Sequence, residues 1–520
     1  MDPLTRPDRS RLLVGAAIVV AATALVAHAR TLDTLCDDAF ISLRYAENLA
    51  RHGAPVYNLG ERVEGYTSPL WMLCTAALLV TGLEGATTLK VLGALSAVAL
   101  VIAAWRLWQR VAPGRLEGLV VLALLAGSTP IAAWSSSGLE TPLLAALITM
   151  VVAELCAVLS QPTRRRASFA GAMAGLAVLA RPEAALMAGA GAVWIGSDKR
   201  ARQHLIPFVV AAALPVAAWV GFRWLYYGAW LPNTFVAKTA APLLERLQVG
   251  LRYVGFTVSE LGLTVALLLG AALVFPQSRS SVRFIRALVV IYVAAVLFEG
   301  GDFLDLFRFF VPTLPLLYIA LVATSLDVVA RFGTGRQHWL LGVAVLTPLW
   351  ILAEISLRGR ALRVDEPKRL DLWIEPLVWT RSHALSWAAQ GRFLRDHAHP
   401  GDTMASVAAG ALPYYAGLPN LDLLGLTDAE TARNGAYTGN RPGHQRFATR
   451  EYVVSKQPTY LLLDGCSPPS SWLPWTNSLY RCVDVNTTTS SGAPLRFAFL
   501  AMTARAEELQ QAGVATIRKP

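Results

Sequence analysis

Eleven apolar runs dominate this sequence, and they leave one class of fold open. They cover about residues 12–26, 88–105, 117–134, 139–160, 168–180, 183–196, 204–226, 253–275, 284–299, 307–329 and 338–355. A helix of about 20 apolar residues crosses the hydrocarbon core of a bilayer. It does so because each backbone N–H and C=O finds its partner inside the same segment. Charged residues make up 16% of the 520 and hydrophobic ones 54%, whereas a soluble domain carries about 25% charge. The chain is read as a polytopic α-helical membrane protein.

The arginines orient it. Segment 69–83 is apolar but, at about 15 residues, short for a crossing. With that segment left out of the count, Arg6/Arg9/Arg11, Arg106/Arg110/Arg115, Arg164/Arg165/Arg166, Lys199/Arg200/Arg202, Arg279/Arg283/Arg286 and Arg331/Arg336 all fall on one side. Positive loops lie inside, so eleven spans are predicted, with the N-terminus cytoplasmic and the C-terminus outside. Segment 69–83 then becomes a helix in or dipping into the outer leaflet. The net charge of +11 is an orientation signal, not the footprint of a nucleic-acid partner. Run 12–26, followed by Ala27-His28-Ala29, has the form of a signal peptide, but ten further runs follow and it is read as an uncleaved span. Runs 168–180 and 183–196 meet at Arg181-Pro182-Glu183. Proline ends a helix there, and the pair is predicted as a short hairpin whose charged tip faces a cavity or a partner, not lipid.

After Ile355 the composition turns polar. Two domains are expected: 1–356 in the membrane, with a first outer loop over 30–87, and 357–520 as a soluble α/β-like domain outside. Five cysteines without a CxxC exclude a disulfide scaffold and give no zinc or redox signal. Cys466 and Cys482 both fall in the outer domain, where an oxidising compartment permits a disulfide, and two free thiols are the alternative. His383 and His444 lack metal-ligand spacing and are read as surface or core histidines.

Carboxylates and a few cations collect on the predicted outer side. The first loop alone holds Asp33, Asp37, Asp38, Arg44, Glu61, Arg62 and Glu64. In the pair Asp37-Asp38, one carboxylate can act as general base on an acceptor hydroxyl while the other orients substrate or a cation. Asp is equally favoured as the N-cap of a helix starting near Ala39, and both readings stay open.

The stretch Asp37-Asp38-Ala39-Phe40-Ile41-Ser42-Leu43-Arg44-Tyr45-Ala46-Glu47-Asn48-Leu49, continued by Val56-Tyr57-Asn58-Leu59-Gly60-Glu61-Arg62-Val63-Glu64-Gly65-Tyr66-Thr67-Ser68-Pro69-Leu70-Trp71, resembles the first-loop signature of the AftB-like glycosyltransferases. These are membrane arabinofuranosyltransferases of the GT-C superfamily. Ser137-Gly138-Leu139-Glu140-Thr141-Pro142, Arg181-Pro182-Glu183, Leu231-Pro232-Asn233-Thr234, Gly300-Gly301-Asp302 with Arg308-Phe309-Phe310-Val311-Pro312, and Asp422-Leu423-Leu424-Gly425-Leu426-Thr427-Asp428 resemble the same family. The resemblance implies a GT-C enzyme that takes a sugar from a polyprenyl phosphate. It would pass the sugar to a glycan or glycolipid acceptor outside the bacterial cytoplasmic membrane. It puts Asp37 and Asp38 at the reacting centre and a second acid, Glu140, in the next outer loop.

A phosphate needs cations, and Arg181, Lys238 and Arg308 are the outer-face candidates, arginine because its fork pairs phosphate oxygens bidentately. The structural alternatives are pairing of Arg181 with Glu183, solvation of Lys238, and snorkelling of Arg308. Asp302 either binds acceptor hydroxyls or pairs with Arg308. Arg44, counted in the substrate-binding set, pairs with Asp37 or Asp38 or lies on the solvated face of a helix. Glu64, Tyr66, Glu140, Glu183 and Asn233 complete the candidate substrate-binding set, although aromatics at this depth more often form an interfacial belt. A divalent cation, Mg or Mn, would fall to Asp37, Asp38 and Glu140. The rival sugars are mannose and other hexoses on the same lipid. The rival functions are a lipid-linked-sugar flippase, which usually shows repeated halves, and a glycan-binding scaffold.

Overall fold

The computed structural model describes residues 9–113, 116–239, 241–277, 279–331, 336–363, 374–439, 441, 443–463 and 465–518. Arg6 and Arg115 of the predicted cytoplasmic clusters lie outside them. All eleven apolar runs are helical. The helices are α1 (Arg9–Leu32), α2 (Asp37–His52), α3 (Pro69–Leu79), α4 (Gly85–Val111), α5 (Gly118–Gly127), α6 (Thr129–Ser136), α7 (Thr141–Ser160) and α8 (Arg164–Ala180). They continue with α9 (Ala184–Ser197), α10 (Leu205–Tyr227), α11 (Asn233–Lys238), α12 (Leu243–Val274), α13 (Ser280–Glu299), α14 (Leu314–Arg331) and α15 (Arg336–Ala361).

Among the described residues, α1, α4, α7, α10, α13, α14 and α15 are long and apolar enough to cross a membrane, and α5 with α6, bent by 57°, make an eighth candidate. The predicted hairpin is present as α8 and α9, of 17 and 14 residues. At 1.5 Å per residue these reach only about 26 and 21 Å, less than a hydrocarbon core of about 30 Å. Helix α3 has 11 residues, so it too is short of a crossing. Helix α1 is one continuous helix whose Leu25 and Leu32 join the common core. Helices α8 and α10 approach closely through Gly171 and Gly175: a Cβ on Gly171 would stand 2.1 Å from the Phe208 carbonyl oxygen. Small residues four apart open that kind of groove between helices.

Helix α15 runs five residues past the expected boundary at 356, and the polar region follows. It opens with α16 (Leu377–His397) and α17 (Ala411–Ala416). Its strands are β1 (Met404–Ser406), β2 (Asn420–Asp422), β3 (Ala436–Tyr437), β4 (Arg446–Phe447), β5 (Tyr460–Leu462), β6 (Tyr480–Thr488), β7 (Pro494–Met502) and β8 (Thr516–Ile517). Six of them form a mixed sheet in the order β2-β1-β5-β7-β6-β8, parallel at β2-β1-β5 and antiparallel beyond. Alternation along β7 explains why helices cover both faces. Phe497, Phe499 and Ala501 enter one core with Phe393 and Leu394 of α16, while Leu500 and Met502 enter another with Trp472 and Trp475. Side chains of a strand alternate with period two. Cys466 and Cys482 are joined by a disulfide, Cα–Cα 5.6 Å. An α/β domain was the expectation.

Candidate active site

The first loop is pinned before its acids are reached. The Thr34 hydroxyl donates to the Ala133 carbonyl (2.7 Å) and the Cys36 N–H to the Ser137 carbonyl (3.1 Å). The Trp71 indole donates to the Gly138 carbonyl at 3.0 Å. The Ser137-Gly138 motif therefore supports the strand of chain that leads into Asp37-Asp38. Those two residues begin α2, where the helix dipole favours carboxylates. Cys36 takes the N-cap position with no side-chain capping bond, so neither Asp caps its own helix.

The pair then divides. The Asp37 carboxylate is half-buried at the wall of the same cavity that Asp38 lines, and its Oδ1 accepts the Ala411 N–H at 2.6 Å, capping α17 of the polar domain from a distant part of the chain. Burial pushes this carboxyl up to about 7, against the bonds from the Ala411 and Gly410 backbone. Asp38 keeps 38% of its side chain exposed and stands 3.8 Å from an Nη of Arg308. It opens into a cavity between the helical bundle and the polar domain. Lys238, Phe303, Glu375, Arg441 and His444 share the walls.

Two arginines lie behind the cavity wall, one of them beside Asp38. Asp302 holds Arg308 by a two-point grip, Nε at 2.7 Å and Nη2 at 2.8 Å. Their side chains are only 2% and 8% exposed. Gly301 precedes Asp302 at φ +73, where a Cβ would lie 2.6 Å from Tyr253 Cβ. Leu306 and Phe307 precede Arg308, both left-handed at φ 53 and 54, a conformation that costs non-glycine residues about 1–3 kcal/mol. The Trp134 indole donates to the Leu306 carbonyl at 3.1 Å and helps hold that turn. Arg181 is the second arginine. It contacts Glu183 directly, Glu140 at 3.1 Å and Glu299 at 3.9 Å. The Phe309 ring lies between the two guanidiniums, 4.6 Å from that of Arg181 and 5.1 Å from that of Arg308. Lys238, at the end of α11, is an exposed residue on the cavity wall. Desolvation lowers the pKa of its ammonium, and Asp38 opposes that shift.

Asp38, Lys238, Asp302 and Arg308 are thus brought together, with Glu140, Arg181 and Glu183 in the adjoining network. Four other candidates are used elsewhere. Arg44 does not pair with Asp37 or Asp38. It donates to the carbonyls of Tyr57 (2.8 Å), Pro413 (2.7 Å) and Leu418 (2.8 Å), joining the first loop to the polar domain. Glu64 is buried against Arg223 and accepts from the Trp219 indole at 3.0 Å. Tyr66 shares a 3.0 Å hydrogen bond with Tyr227. The Asn233 amide donates to the carbonyls of Gly425 (2.8 Å), Leu426 (3.1 Å) and Asp428 (3.2 Å). These four tie elements together through the bonds given.

Among the described residues no three His, Cys, Asp or Glu side chains gather to hold an ion. Asp37 and Glu140, two of the three expected ligands, are already engaged by Ala411 and Arg181. Sequence reasoning missed Glu299, Glu375 and Arg441, and it read His383 and His444 as ordinary histidines, yet both line the cavity. Arg441 donates to Glu375 at 2.6 Å, and the His444 ring meets Phe303 edge-on at 5.2 Å. Nothing in the linear spacing marks Glu375, His383, Arg441 and His444, because they reach the site from more than 60 residues beyond Arg308.

Comparison with known proteins adds three findings. A family model described as a domain of unknown function, DUF8728, matches residues 379–500. The chain is similar to the terminal beta-(1->2)-arabinofuranosyltransferase of Mycobacterium tuberculosis, 33% identical over 260 residues that cover 46% of this chain and 40% of the relative. It is similar to the protein of the same name from Corynebacterium glutamicum, 31% identical over 365 residues, 62% of this chain and 52% of the relative. The chain therefore spans about half the length of these relatives. The fold is that of ArnT from Cupriavidus metallidurans: the undecaprenyl-phosphate-bound structure matches with TM-score 0.56 and 16% identity over 96% of this chain and 98% of that one. The apo structure matches equally, over 99% of its length. The chain is similar in sequence to these arabinofuranosyltransferases over part of its length, and it is a multi-pass membrane protein with the ArnT fold.

Proposed function

We propose that this AftB-like chain is a membrane glycosyltransferase. It moves a sugar, arabinofuranose first among the candidates, from a polyprenyl-phosphate donor to a cell-envelope glycan or similar acceptor. The observation that carries the reading is the Asp38 carboxylate, open to the cavity yet within 4 Å of an arginine fixed by Asp302. The relatives' names supply the sugar, and the ArnT structure with undecaprenyl phosphate supports the donor class.

Asp38 is the general base. It takes the proton of the acceptor hydroxyl as that oxygen attacks the anomeric carbon. The bond from the anomeric carbon to the phosphate oxygen breaks, and the polyprenyl phosphate departs with the bonding electrons. Arg308 and Lys238 face the phosphate and stabilise the charge that grows on it, an effect strongest where water is excluded. Asp302 fixes the plane of the Arg308 fork. Arg181 and its three carboxylates fix Phe309, the ring on which Arg308 rests.

The proposal places the protein in the bacterial cytoplasmic membrane with the cavity and the polar domain outside. Two observations support that orientation. The Cys466–Cys482 disulfide suits an oxidising compartment. Asp37, Asp38 and Lys238, assigned to the outer side from the arginine count, line one cavity with residues of the polar domain.

Purified full-length protein is incubated with a panel of polyprenyl-phosphate sugars and an oligo-arabinofuranoside acceptor, and consumption is read by mass spectrometry. The expected result is loss of the arabinofuranosyl lipid and release of polyprenyl phosphate. Consumption of a hexosyl lipid alone overturns the choice of sugar. No consumption of any donor by folded protein overturns the function.

A further inference from the structure

A second lipid-shaped site lies away from the Asp38 cavity, where α15 stands off from the bundle. Two apolar hollows of about 360 and 580 Å³ run between α15 and helices α1, α5, α12 and α14. They share Val120, Leu124, Thr347 and Trp350, so they form one continuous groove, and none of their residues lines the Asp38 cavity. Its lower part is walled by Ala272, Phe275, Leu321, Val328 and Val343. An apolar gap of this size inside a bilayer is filled by hydrocarbon, since empty space forfeits the contacts its walls would make.

The other end is polar. His28, Thr31, Glu354 and Arg358 line it, at the ends of α1 and α15 that lead to the first loop and the polar domain. The Glu354 carboxylate accepts the Thr129 N–H at 2.7 Å, which closes the break between α5 and α6. The next turn of α15 carries Arg358, only partly exposed. Among the described residues no carboxylate lies within ion-pair distance of it. The neighbouring arginine, Arg360, by contrast, is paired with Glu260 at 2.9 Å. A cation left unpaired at the mouth of an apolar groove matches one kind of molecule, with an anionic head and long apolar tails.

We propose that this groove holds an anionic phospholipid, its phosphate on Arg358 and its acyl chains between α15 and α14. The site is independent of the transfer reaction. It ties α15, the last helix before the polar domain, to the rest of the bundle.

The test is native mass spectrometry of the full-length protein released from mild detergent. Wild-type protein, exchanged into mixed phosphatidylglycerol and phosphatidylethanolamine, is expected to retain phosphatidylglycerol at least tenfold over phosphatidylethanolamine. Arg358→Gln is expected to lose that preference. Thr347→Trp, which fills the groove from an exposed position and leaves the charge, is expected to lose lipid of both kinds. Equal retention of the two lipids by wild type, or an unchanged preference in Arg358→Gln, overturns the proposal. Retention of polyprenyl phosphate in place of phosphatidylglycerol overturns the choice of occupant.

Discussion

Asp302 grips Arg308 through two hydrogen bonds of 2.7 and 2.8 Å, and this leaves the remaining Nη of the guanidinium turned toward Asp38. The pair is nearly sealed from water. Asp302→Ala strands a buried arginine, and the expected loss is about 3–5 kcal/mol of stability, read as a lowered melting temperature. Arg308→Lys keeps the charge and loses the fork. It is expected to lose more transfer activity than stability, and a comparison of kcat with melting temperature checks this.

Asp38 and Asp37 should separate in the same assays. Asp38→Asn is expected to lower the transfer rate by about 10²- to 10⁴-fold with little change in melting, because its side chain is substantially exposed. A variant with full activity would remove Asp38 from the chemistry.

Asp37 predicts a pH effect. Its carboxyl lies at about 7 in the folded chain against a reference of 3.8, so between these values the folded state holds a proton that the unfolded state has released. Stability contributed by this group is full below about pH 3.8 and falls as pH rises, by at most about 1.4 kcal/mol per unit. It levels off above about 7. Asp37→Asn removes the titration, so the difference in melting temperature between wild type and variant should change across that window and be flat above it.

Arg181 balances three carboxylates. Arg181→Gln leaves Glu140, Glu183 and Glu299 facing one another without a cation, and the expected cost is about 3–5 kcal/mol. Adding Glu183→Gln relieves part of the repulsion, so the double variant should melt above the single one, a non-additivity expected of groups in contact.

The disulfide closes a loop with a sequence separation of 16. Reduction, or Cys466→Ser with Cys482→Ser, is expected to destabilise the polar domain by about 3 kcal/mol. Intrinsic fluorescence of the full-length protein, with Trp472 and Trp475 in that core, reports the shift.

The eleven helical runs and the first-loop acids were legible because hydropathy and a contiguous motif are properties of neighbours in the chain. Arg308 with Asp302 was readable for the same reason, the two being six residues apart. The distant partners of Arg44 and Asn233 were not legible, because a polar residue beside a motif looks the same whether or not a carbonyl 369 or 192 residues away meets it. The left-handed turn at Leu306-Phe307 carries no glycine to announce it.

What the sequence by itself determined is the membrane class of the chain, its helical runs and the segment that carries the acids, since burying apolar length in lipid leaves the backbone no alternative to helix. Only the tertiary structure decided that, at one cavity wall, Asp37 caps α17 while Asp38 stands beside Arg308. Two adjacent carboxylates on one helix turn are chemically identical, and only the arrival of Ala411 at one and Arg308 at the other makes them different.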